Sequence, residues 1–75
     1  MDKEELQNKI YIFTLENALK HNGHADKGAI IGKVIALDNS LKTSIKEWQV
    51  LIDESISKIS TLSEDQIKEE LKLKD

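Results

Sequence analysis

The sequence predicts an all-α fold, a small bundle of three main helices plus a short C-terminal helix, and three observations lead there. Apolar residues recur at steps of three and four along most of the chain, without the alternation of a half-buried strand. Asn, Gly, Asp and Ser gather at a few points that divide these periodic stretches into helix-length pieces. The chain has 75 residues, enough for one domain whose core is thin, because a chain this short buries only about 60% of the surface it exposes when unfolded.

The first helix, about residues 3–21, presents Leu6, Ile10 and Phe13 at spacings of four and three, with Tyr11, Leu15, Ala18 and Leu19 widening the apolar face. Asn22 and Gly23 end it, since a left-handed residue is needed after the last turn and these two tolerate that conformation most easily. Asp26 then stands where its carboxylate can accept the free N–H groups of a second helix, about 27–37, which presents Ile30, Val34 and Leu37 with Ile31 and Ile35 beside them. Inside it, Gly28 and Gly32 each cost about 1 kcal/mol relative to alanine. Lying four apart on one face, they call for something that needs their smallness. Close packing of another helix is the preferred reading, and close approach of a nucleic-acid backbone is the alternative.

Asp38, Asn39 and Ser40 form the next turn and cap. In the third helix Leu41, Ile45, Trp48, Ile52, Ile56 and Ile59 follow one another at steps of four and three, with Leu51 on the flank. This face is the expected spine of the core. Trp48 lies at its centre and is expected to pack there rather than stack on a base. Ser63 and Gln66 make a capping box for the last helix, about 64–73, whose Ile67, Leu71 and Leu73 would leave it marginal alone.

Composition narrows the function classes. A single thin core leaves no room for a catalytic cleft walled on every side. The absence of cysteine removes disulfides and thiolate metal sites. The N-terminus is polar and acidic where a signal peptide would be apolar, and no apolar run approaches the roughly 20 residues of a membrane span. A cytoplasmic location is expected, with no membrane partner. The net charge is −3, yet residues 20–46 carry Lys20, Lys27, Lys33, Lys42 and Lys46 against only Asp26 and Asp38. This basic middle suits an anionic partner or is simply a solvated face. All the basic residues are lysine, so the planar bidentate recognition typical of arginine is missing.

Residues 21–34, HNGHADKGAIIGKV, concentrate the polar chemistry. His21 and His24 could ligate a metal, but Gly23 breaks the helix between them and only Asp26 is near as a third ligand, so no metal site is assigned. The glycines do not form a phosphate loop, because no buried strand precedes them and Val34 follows Lys33 where Ser or Thr is required. An anion or RNA-backbone contact remains, built from Lys20, His21, His24, Lys27 and Lys33, the first N–H groups of the second helix and the close approach that Gly28 permits.

The runs LENALKHNGHADKGAIIGKVIALDNSLK and IKEWQVLIDESISKISTLSEDQIKEEL resemble the N-terminal appended domain of archaeal-type glutamyl-tRNA synthetases. Asn17, Ala18, Lys20, His21, Gly23, Ala25, Asp26, Gly28, Ala29, the Ile30 and Ile31 pair, Gly32, Lys33, Val34, Leu62 and Ser63 match that family's pattern. Lys27 stands where a proline is common, and Asn22 where a second glycine is. More distantly, the Gly-x-Ala-Asp-x-Gly segment is similar to the tRNA-binding tail domains of tRNA-dependent amidotransferases.

Neither the Pro-x-Pro-x-Gly-x-x-His-x-Gly-His type run nor the Lys-x-Ser-Lys type loop of the synthetase is present. The resemblance therefore implies a single non-catalytic helical domain over residues 1–75, a fragment preceding a catalytic domain. The implied parent is an ATP-dependent glutamate–tRNA ligase that uses ATP and magnesium, while this segment carries no cofactor. Its implied partners are tRNA, touched at Lys20, His21, His24, Lys27, Gly28 and Lys33, and the catalytic body. The alternative is a docking or structural cap module without RNA contact, seated on that body or on a protein partner in a synthetase or amidotransferase complex.

Overall fold

Four α-helices in the order expected make up the computed structural model, which describes residues 2–74. They are α1 (Lys3–Lys20), α2 (Lys27–Leu37), α3 (Ile45–Ile59) and α4 (Glu64–Lys74), with a 3-10 stretch over Asn39–Ser44 between α2 and α3. Asp2 starts α1 by accepting the Glu5 N–H at 2.8 Å. At its other end the Gly23 N–H donates to the Ala18 carbonyl, with Asn22 and Gly23 at φ of 56° and 90°.

α1 is the hub and touches each of the other three helices. Leu6 and Ile10 meet Ile30 and Val34 of α2 and Trp48, Leu51 and Ile52 of α3. One turn further, Tyr11, Leu15 and Ala18 meet Ile59 from the end of α3 and Ile67 of α4. Ala25, in the α1–α2 connection, packs against both groups and so ties the connection to the core. Trp48 is 3% exposed, and its indole N–H donates to the Leu41 carbonyl at 2.9 Å. The ring thus packs and has its polar atom satisfied.

Two expectations need correction. Leu41 shares the apolar spacing of α3 but lies in the 3-10 stretch. The cause is local chemistry: Asp38 accepts from both the Ser40 N–H and its hydroxyl, Thr43 Oγ1 donates to the Ser40 carbonyl, and Ser44 Oγ donates to the Leu41 carbonyl. Such side-chain bonds compete with the α-helical ladder. Leu37, counted as core from its period, is 43% exposed, because α2 ends there and the chain leaves in extended form at Asp38.

Candidate nucleic-acid interface

The α1–α2 connection is rigidly held. The His21 N–H reaches the Asn17 and Ala18 carbonyls, the His24 N–H reaches the His21 carbonyl, and the Asp26 N–H donates to Asn17 Oδ1 at 2.6 Å. Asn17 is 8% exposed on the buried side of α1, where Thr14 is the other polar residue, so its amide is a buried pin for the corner. Asp26 Oδ1 then accepts the Gly28 N–H at 3.0 Å and caps α2 as expected. The outcome is a fixed corner on which Lys20, His21 and His24 are exposed. Asn17 matched the family pattern, but its pinning role was missed. A polar amide among core positions was the available signal.

The structure brings Lys20 and Lys33 together on one depression of about 380 Å³, which Glu16, Asn17 and Leu19 also line. Lys33 Nζ lies 3.9 Å from Glu16 Oε1 and 5.5 Å from the centre of the Phe13 ring. Lys27 goes elsewhere: its Nζ sits 2.8 Å from Asp53 Oδ1 on α3. Lys20 makes no ion pair among the described residues.

Gly28 and Gly32 resolve differently from the preferred expectation. A methyl at Gly32 would meet nothing within 4 Å, and one at Gly28 would meet only Asp26 Oδ1 at 3.5 Å. No helix among the described residues packs on them. Ala29, Gly32, Lys33 and Ala36 are likewise exposed, so α2 presents an open face of small side chains with Lys33 at its edge.

Among the described residues, no three His, Cys, Asp or Glu side chains come together as a metal site, and no helix is long and apolar enough to cross a membrane.

Over 71 residues the chain is 35% identical to a glutamate–tRNA ligase of Methanocorpusculum labreanum, a match covering 95% of this chain and 13% of that protein. A glutamate–tRNA ligase of Metallosphaera sedula is 37% identical over 67 residues, covering 89% of this chain and 12% of that protein. One from Sulfurisphaera tokodaii is 31% identical over 71 residues, covering 95% and 12%. No family model and no solved structure matches the chain. The chain spans about 12% of the length of the curated relatives it matches. Over most of its length the chain is therefore similar to one short region of archaeal glutamate–tRNA ligases.

Proposed function

We propose that the chain is the appended N-terminal, non-catalytic domain of a glutamate–tRNA ligase and that its α1–α2 face helps bind or orient tRNA. The observation that carries this reading is the open Gly28 and Gly32 face of α2, beside a corner that holds Lys20, His21 and His24 outward with Lys33 nearby. Gly32, in the interior of α2, is unfavourable by about 1 kcal/mol relative to alanine, and no packing among the described residues offsets that, while Gly28 lies in the first turn with equally open space beside it. A close-approaching backbone would use the space, and the lysines would neutralise its phosphates. The rest of such an enzyme would bind ATP and magnesium and carry out the glutamyl-adenylate chemistry.

Binding of a glutamate-accepting tRNA transcript should weaken steeply with salt. Lys20→Ala and Lys33→Ala should each lower the slope of log affinity against log salt by about 1, whereas Lys72→Ala on α4 should not. Lys58 is a poorer control because its Nζ lies 5.0 Å from the centre of the Tyr11 ring. Equal behaviour of all three variants would remove the α1–α2 face from the reading.

A second reading rests on α4, where Leu73 is 79% exposed in an acidic segment. On this reading the domain docks on the catalytic body or on a synthetase or amidotransferase partner and does not touch RNA.

A further inference from the structure

We infer that Asp53 and Glu16 are built-in competitors for the phosphates of a nucleic-acid partner, holding Lys27 and Lys33 until an extended polyanion displaces them. The inference rests on the proposed tRNA contact and adds a regulation to it. Lys27 Nζ is 2.8 Å from Asp53 Oδ1, and Lys33 Nζ is 3.9 Å from Glu16 Oε1. A third carboxylate, Asp26, already takes the Gly28 N–H at the start of α2. Of Lys20, Lys27 and Lys33, Lys20 alone has no carboxylate in ion-pair range among the described residues. Two of the three lysines are thus answered from within, Lys27 by an acid of α3 and Lys33 by an acid of α1.

All four paired side chains are substantially solvent-exposed, between 39% and 55%. Exposed pairs of this kind are weak, within about a factor of five in equilibrium constant, so they do not lock the lysines. They set a threshold. A single phosphate recruiting Lys27 gains one ion pair and loses another, leaving Asp53 unpaired beside the new anion. A phosphate chain engages Lys20 without that loss, and its high local charge then competes for Lys27 and Lys33 together, with counterion release favouring the exchange. The internal acids therefore discriminate against free phosphate and mononucleotides, and they keep polyanion binding weak and reversible. Asp53 should matter more than Glu16, because its pair is shorter and Lys33 keeps the Phe13 ring beneath it after Glu16 is neutralised.

The test measures binding of a glutamate-accepting tRNA transcript by the 75-residue chain at two or more salt concentrations, with thermal denaturation alongside. Asp53→Asn should tighten binding about two- to five-fold relative to Glu54→Gln, an adjacent exposed acid that forms no ion pair among the described residues and that corrects for the change in net charge. The salt slope should steepen by up to about 1 as Lys27 joins the contact. In a Lys27→Ala background the gain should vanish, which a long-range charge effect would not do. Glu16→Gln should give a smaller gain that depends on Lys33. Binding by the wild type with no difference between Asp53→Asn and Glu54→Gln, or a gain that survives Lys27→Ala, overturns this inference and leaves the tRNA reading standing. If Asp53→Asn lowers the melting temperature and leaves affinity unchanged, the pair is only a strut between α2 and α3. No binding by any variant at low salt overturns the tRNA reading itself.

Discussion

Asn17 and Gly32 match the same sequence pattern, yet they occupy opposite situations. The Asn17 amide is buried and bonded to the Asp26 N–H, so Asn17→Ala leaves that donor without its partner. A loss of about 1–3 kcal/mol is expected on urea denaturation. Gly32 is exposed in mid-helix with open space where a methyl would go, so Gly32→Ala should stabilise the chain by up to about 1 kcal/mol. If that face meets RNA, the same substitution should weaken tRNA binding even as stability rises. Higher stability with unchanged binding would mean that nothing approaches there. The helical glycines raised the question of a steric requirement in the sequence, and no neighbour among the described residues imposes one. The Asn17 bond was harder to foresee, because it joins residues nine apart and depends on how the corner closes.

At the scale of elements, caps and periods were legible and junctions were less so. Asp26 and the Ser63 and Gln66 pair act where local residue spacing places them; the Ser63 N–H donates to Gln66 Oε1 at 2.8 Å, and the Gln66 N–H donates to Ser63 Oγ at 3.2 Å. Ser63→Ala should cost about 1 kcal/mol, felt chiefly in α4. Amide exchange should then quicken over 64–74 and leave α3 unchanged. The α2–α3 junction departed from simple period counting because Asp38, Thr43 and Ser44 bond to nearby backbone. The Asp38 carboxyl is held below its usual range by the Ser40 hydroxyl and N–H. Its contribution is present at neutral pH and is lost as pH falls through that lowered value. Tyr11, between α1 and α4, behaves oppositely. Burial first, and the Glu70 carboxylate second, push its phenol above 10.0. Its contribution is therefore present below about pH 10 and is lost as pH rises through the raised value. Tyr11→Phe should flatten the alkaline limb of the stability profile.

The whole molecule is small enough that single core contacts decide whether it folds. Trp48→Ala should cost about 3–5 kcal/mol, comparable to the roughly 3–5 kcal/mol that a core of this size supplies, so loss of the helical circular-dichroism signal at room temperature is expected. The apolar spine that made Trp48 recognisable is a property of one helix, whereas the partners of Lys27 and Lys33 belong to the assembled bundle and were not legible beforehand. On folding, two of the clustered lysines are answered by Asp53 and Glu16, while Lys20 stays exposed on the α1–α2 face. Whether that face meets tRNA is tested most directly by chemical-shift mapping of the chain titrated with a glutamate-accepting tRNA transcript at low salt. The account predicts shifts concentrated at Lys20, His21, His24, Gly28, Gly32 and Lys33, fading as salt is raised. Shifts confined to α3 and α4, or none at all, would contradict it.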